Sequence, residues 1–183
     1  MLELDIAATQ WINGWSGHLA VLDAAMVWSS SIGVPVMVLA TAVQWWSRHE
    51  RTRVRHVVVA AGLSFMLGLA LNQFVLLLVH RVRPYDAGIT DLLIARSGDF
   101  SFPSDHATAG LAIAAAFLLH RLPPRGLGLL ALALPIAVSR VYLGTHYASD
   151  VLGGAATALV AAAIVRATFR EGTRLDRLVT GIL

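Results

Sequence analysis

Long apolar segments separated by clusters of arginine constrain this chain more than any other feature. The clearest, Val57–Val79, carries no charged side chain. A bilayer core asks for about 20 apolar residues per helix. Lipid offers the backbone no hydrogen-bond partner, so such a run must be helical or part of a closed barrel. Four further segments share this character: Ile32–Trp46, Ala107–Leu119, Leu127–Tyr142 and Ala148–Val165. The shorter ones must borrow flanking residues or be buried by their neighbours. Pro135 is expected to kink the fourth segment, and Gly153-Gly154-Ala155-Ala156 permits close helix packing in lipid. Composition agrees, with 57% hydrophobic and 14% charged residues, far from the soluble norm. The expectation is an all-α, polytopic transmembrane helical bundle with five to six membrane helices and an N-terminal interfacial helix. It forms one membrane-embedded domain over residues 1–183, with its core over 57–165.

The first 30 residues differ. Leu4, Ile6, Trp11 and Trp15 are interleaved with Glu3, Asp5, Gln10 and Asn13, and Gly14 and Gly17 break the run. This reads as an interfacial amphipathic helix followed by a short helix around Leu19–Trp28, or else as a broken sixth membrane helix. Tryptophans 11, 15, 28, 45 and 46 suit interface anchors. There is no basic region typical of a cleavable signal peptide.

The net charge of +3 comes with 14 arginines and no lysine. Basic residues clustered between apolar spans follow the positive-inside rule, which argues against nucleic acid as a partner. Arg48, Arg51, Arg53, Arg55, Arg121, Arg125, Arg166, Arg170, Arg174 and Arg177 fall on one side, expected to be cytoplasmic together with the C-terminus. Arg81, Arg83, Arg96 and Arg140 fall on the other, against the bias, which marks them for chemistry. Cysteine is absent, which removes thiolate nucleophiles and thiolate metal ligands.

Following the spans brings three polar clusters to that second face: His80-Arg81-Val82-Arg83-Pro84, Phe102-Pro103-Ser104-Asp105-His106, and Ser139–Asp150. Ser104 reads as a helix N-cap, and the same helix end offers free N–H groups and positive dipole to an anion. Arg83 and Arg140 could simply snorkel to the interface; their company instead suits bidentate phosphate binding. His146 and Asp150, four residues apart, share a helix face, so the carboxylate can orient the imidazole. Asp150 alone could equally be a buried partner for an arginine. His18, His49, His56, His80 and His120 lack such company, and no role is assigned to them.

In order, the motifs resemble those of the type 2 phosphatidic acid phosphatase superfamily. That pattern has lysine, six residues and Arg-Pro; then Pro-Ser-Gly-His; then Ser-Arg, three residues, Gly, one residue, His, three residues and Asp. The third block is complete from Ser139 to Asp150. The second reads Pro103-Ser104-Asp105-His106, and the first keeps Arg83-Pro84 with Leu76 at the lysine position. The resemblance implies His146 as nucleophile forming a phosphohistidine, Asp150 orienting it, and His106 as general acid. It implies phosphate binding by Arg83, Ser104, Arg140 and the backbone N–H of Asp105, with no metal or other cofactor. Arg81, Arg96 or a loop donor is expected to compensate for Leu76, and the Asp105 carboxylate must point away or be paired.

Pro-Ser-Asp-His, Asp99-Phe100-Ser101-Phe102 and Trp11-Ile12-Asn13-Gly14 look like bacterial undecaprenyl-diphosphate phosphatases of the bacitracin-resistance type. The implied activity is hydrolysis of undecaprenyl diphosphate to the monophosphate, in cell wall biogenesis. The implied setting is the bacterial plasma membrane, with the site facing outside the cytoplasm. The alternative within the superfamily is a lipid monophosphate, phosphatidate or phosphatidylglycerol phosphate. A metal-dependent hydrolase built on His106, His146, Asp150 and Asp105 is disfavoured by the two guanidiniums, which would repel the ion. A lipid carrier would bind headgroups without releasing phosphate, and a soluble haloperoxidase could not hide these spans.

Overall fold

The computed structural model describes residues 2–181, and every regular element among them is helical. The elements are α1 (Leu2–Asn13), α2 (Ala20–Val43), α3 (Arg51–Leu76), α4 (Asp105–Leu119), α5 (Pro123–Tyr142), α6 (Ala148–Thr168) and α7 (Arg174–Thr180). A 3-10 turn, Gln44–Trp46, extends α2. Four helices are long and apolar enough to cross a membrane: α2 with its 3-10 turn, α3, α5 and α6. At 15 residues α4 is too short to do so alone; at 1.5 Å per residue it reaches about 22 Å.

Burial by neighbours explains how so short a helix stays in the bundle. From Ala107 to Phe117 nearly every residue of α4 is buried, and most are alanine or glycine. Small side chains bring backbones close. A Cβ added at Gly68 of α3 would lie 2.9 Å from Thr108, and one at Gly110 3.2 Å from the Ala133 Cβ of α5. At Gly154 of α6 it would lie 2.7 Å from the Ser104 carbonyl oxygen. The apolar core gathers Met37, Val54, Val57, Ile113, Phe117, Leu129 and Ile136 from α2, α3, α4 and α5. Outward side chains such as Val21, Leu39, Met66, Phe74, Leu152 and Leu159 stay exposed, as lipid-facing residues do.

Two expectations from sequence are revised. The short helix around Leu19–Trp28 and the span Ile32–Trp46 are one continuous helix, α2, which runs through Pro35. With Leu2–Asn13 a separate helix, the broken-span alternative gives way to a surface helix preceding five bundle helices. The small helix α7 was not anticipated. It is anchored by Asp176, whose carboxylate lies 2.8 Å from His56 Nδ1 of α3, and by Arg55, which donates to the Thr180 carbonyl.

The connections sort to two ends. Arg53 donates to the His120 carbonyl, Arg166 to Leu119 and Arg125 to Ser47, so the arginine-rich loops and the end of α6 meet. The opposite end holds the α3–α4 loop, the α5–α6 turn and α1.

Candidate active site

The α5–α6 turn sets the geometry. Gly144 adopts φ +78°, and a Cβ there would sit 2.3 Å from the Asp91 carbonyl oxygen. The left-handed conformation and the close approach both require glycine. The turn directs His146, 4% exposed, and Asp150, 0% exposed, into the interior. His146 Nδ1 lies 2.7 Å from the Ser101 carbonyl oxygen and 3.5 Å from Asp150 Oδ2. A carbonyl accepts only, so Nδ1 carries the proton and Nε2 keeps a free lone pair. The Ser101 carbonyl is thus the nearer orienting partner, with Asp150 behind it; sequence reasoning had named Asp150 alone.

Arg83 faces that lone pair, its Nη1 donating to His146 Nε2 at 3.3 Å. Nη1 also donates to the Thr145 carbonyl at 2.9 Å, and Nε to the Asp99 carbonyl at 2.9 Å. Nη2 meets the Asp99 carboxylate at 2.6 Å. Burial pushes Asp99 up, but the Ser97 hydroxyl and the Arg83 guanidinium hold it below the usual carboxylate range. The loop from Ser97 to Ser101 therefore fixes the guanidinium against the imidazole.

Ser104 stands at the N-cap position of α4, yet its hydroxyl makes no capping bond. The N-cap position agrees with the sequence reading, while the side-chain bond that would make it a cap is not formed. Ser104 Oγ and Arg140 Nε are, among the described residues, buried polar atoms with no hydrogen-bond partner. Such atoms are costly unless a ligand satisfies them. Arg140, 8% exposed, donates through Nη1 to the Ser30 hydroxyl, which brings α2 into the site. His106 stands in the first turn of α4, two residues past Ser104. It also lines a cleft of about 290 Å³ with Val34, Pro35, Phe65, Leu69, Asp105 and Ala109.

The Asp105 carboxylate is paired. Asn72 donates to its Oδ1 at 2.8 Å and Gln73 reaches Oδ2 at 3.5 Å, so two amides of α3 pair the carboxylate. Arg81 and Arg96, expected with a loop donor to compensate for Leu76, have carboxylate partners in the protein. Arg96 pairs with Asp86 in solvent. Arg81 spends its two terminal nitrogens on Asp5 and Asp150, each at 2.6 Å.

The site thus assembles His146, Asp150, Arg83, Ser104, Arg140 and His106 from three helices and two loops. Guanidiniums and a helix N-terminus beside an unprotonated imidazole nitrogen suit the binding of an oxyanion. Among the described residues no three His, Asp or Glu side chains gather as metal ligands.

Comparison with known proteins places this arrangement. Residues 57–174 match the model of the PAP2 superfamily. The undecaprenyl-diphosphatase BcrC of Bacillus subtilis is 35% identical over 149 residues, covering 81% of this chain and 76% of that protein. The bacitracin transport permease protein BcrC of Bacillus licheniformis is 28% identical over 166 residues, covering 89% and 79%. The crystal structure of a transmembrane PAP2-type phosphatidylglycerolphosphate phosphatase from Bacillus subtilis superposes with a TM-score of 0.67. It is 23% identical, with 94% of this chain and 88% of that one aligned.

Proposed function

We propose a substrate and a mechanism from one premise: the chain belongs to the PAP2 superfamily and is a multi-pass membrane hydrolase of phosphate esters or anhydrides. The substrate is a prenyl diphosphate, undecaprenyl diphosphate being the chemistry named for the relative with which it shares 35% identity. The product is the monophosphate. The observation that carries the reading is that Ser104 Oγ and Arg140 Nε are buried without a partner at the site whose imidazole keeps Nε2 unprotonated and turned to Arg83.

The steps follow from the donors. The terminal phosphate takes N–H bonds from Arg83 and Arg140, the Ser104 hydroxyl and the first turn of α4. His146 Nε2 attacks phosphorus in line; the N–P bond forms as the P–O bond to the bridging oxygen breaks. His106, protonated once the phosphate dianion occupies the site and favours its imidazolium, gives that oxygen a proton. The same His106 then takes a proton from water, whose oxygen attacks phosphorus and breaks the N–P bond. Inorganic phosphate leaves and His146 returns to its starting state. No residue changes its net protonation over the cycle, and the guanidiniums meet the charge gathered on the equatorial oxygens.

The apolar tail fits the setting: the cleft leading to His106 is walled by Val34, Pro35, Phe65 and Leu69 on helices that face lipid. The ten-arginine end is cytoplasmic by the positive-inside rule, so the site opens on the outer side of a bacterial plasma membrane. Purified protein tested on prenyl diphosphate, phosphatidate and phosphatidylglycerol phosphate decides the substrate. Fastest phosphate release is expected from the diphosphate; a faster lipid monophosphate would overturn that choice and leave the phosphatase standing.

A further inference from the structure

The surface helix α1 carries a polar stripe that the reaction above does not use. Asp5, Thr9 and Asn13 recur every four residues and so share one helix face. That face is turned to the protein, while Leu2, Leu4, Trp11 and Trp15 are exposed. Thr9 Oγ1 accepts from the Ala148 N–H at 3.0 Å, and Asn13 Nδ2 donates to the Tyr142 carbonyl at 2.8 Å and the Asp91 carbonyl at 2.9 Å. Asp5 accepts from the Ser149 N–H at 2.8 Å and from its hydroxyl at 2.6 Å. All three stripe residues thus grip the two ends of the α5–α6 turn.

Asp5 also reaches further in. Its Oδ2 meets Arg81 Nη2 at 2.6 Å, and Arg81 Nη1 meets Asp150 Oδ1 at 2.6 Å and the Ser149 hydroxyl at 2.6 Å. The guanidinium carbon lies 3.7 Å from the centroid of the Tyr147 ring, which fixes its plane. The other Asp150 oxygen accepts from the Tyr147 N–H at 2.9 Å and from the Ser101 hydroxyl, and stands 3.5 Å from His146 Nδ1.

We infer that Arg81 and Asp5 are positioning residues of this active site, through which α1 sets Asp150 beneath the His146 imidazole. The inference rests on His146 as the nucleophile. Its electrostatic content lies in the charge count. Arg81 alone would neutralise Asp150; with Asp5 the three groups sum to one negative charge, the charge an imidazole gaining phosphorus needs near Nδ1. The protonation states agree. Burial opposes ionisation at Asp5, but hydrogen bonds from Ser149 and Arg81 hold it below the usual carboxylate range. Burial likewise opposes the Arg81 charge, and the two carboxylates hold it above its ordinary value.

Arg81→Gln, Arg81→Lys, Asp5→Asn and the Asp5→Asn/Arg81→Gln double variant test this, assayed in detergent for kcat, KM and vanadate inhibition of prenyl diphosphate hydrolysis. Arg81→Gln is expected to lower kcat about tenfold or more, with KM and vanadate inhibition within about twofold of the parent. Arg81→Lys recovers part of the loss, and the double variant is no slower than Arg81→Gln. Asp5→Asn, a milder change on a surface helix, lowers kcat in the same sense and serves if Arg81→Gln does not fold. Weakened KM and vanadate inhibition at unchanged kcat would make Arg81 a phosphate ligand and overturn the inference. Parental kcat in Asp5→Asn, or multiplying losses in the double variant, would overturn it too. Turnover surviving in His146→Ala sinks the nucleophile reading instead, a separate result.

Discussion

Nδ1 of His146 is tied to a backbone carbonyl, and that one contact decides which nitrogen can attack. Removal of the ring by His146→Ala is expected to abolish phosphate release while the protein still folds. The pH profile follows from the surroundings of the ring. Burial pushes its pKa down and the Arg140 and Arg83 charges add to this, outweighing the hydrogen bond with Asp150. A depressed value keeps the attacking neutral form populated to lower pH. The acid limb of kcat/KM assigned to His146 therefore falls below the ordinary imidazole value of about 6.5, and a limb above that would contradict the assignment. Ser104 gives a cleaner separation of stability from catalysis. Its hydroxyl has no partner in the protein, so Ser104→Ala should leave the melting temperature nearly unchanged. It should lower kcat/KM by about 10²-fold, as loss of one oxyanion donor does; an unchanged kcat/KM would exclude the hydroxyl from the phosphate site. Residue identity made His146, Arg83, Ser104 and Arg140 legible in the sequence, because their chemistry is rare in an apolar chain. The Ser101 carbonyl was not, since any residue supplies one, and neither was the pairing of Asp105 with Asn72, which depends on helix register across α3 and α4.

Among the elements, α4 and α6 illustrate how packing places chemistry. Gly153 lies against Phe102, its absent Cβ 2.4 Å from the ring, and Gly154 against the Ser104 carbonyl. Gly154→Ala should push α6 from the N-terminus of α4, costing about 1–3 kcal/mol and lowering activity beyond the loss of folded protein. Thermal melting and kcat on the same preparation check it; activity loss that only tracks unfolding would contradict the coupling. Apolar runs read as helices in the sequence because lipid leaves no alternative. The extent of α2 did not, because Ser29, Ser30 and Ser31 interrupt the apolar run and Gly33 and Pro35 disfavour a helix interior, and helix packing carries the chain through them. The amphipathic character of α1 was visible in the sequence, but the Asp5–Thr9–Asn13 stripe was not, since the partners of Asp5, Ser149 and Arg81, are 144 and 76 residues away and no local signal encodes them.

For the whole molecule, two polar ends separated by an apolar bundle make an oriented machine. At the arginine-rich end α7 is docked by the buried Asp176–His56 contact, remote from the site. Asp176→Ala should cost on the order of 3 kcal/mol yet leave kcat per folded molecule unchanged; a lost kcat at full stability would mean the two ends communicate. Orientation is testable because the natural chain has no cysteine. Gly98→Cys, exposed with open space around it, should react in intact cells with an impermeant maleimide, and His49→Cys only after lysis. The reverse pattern would turn the site to the cytoplasm. The central claim is covalent phosphoryl transfer to His146, and the most direct measurement is acid-free rapid quench with lipid labelled in its terminal phosphate, followed by peptide mapping. The account predicts a base-stable, acid-labile label on the peptide bearing His146, formed in EDTA and absent from His146→Ala. A label elsewhere, or turnover with no labelled protein at any time point, would contradict it.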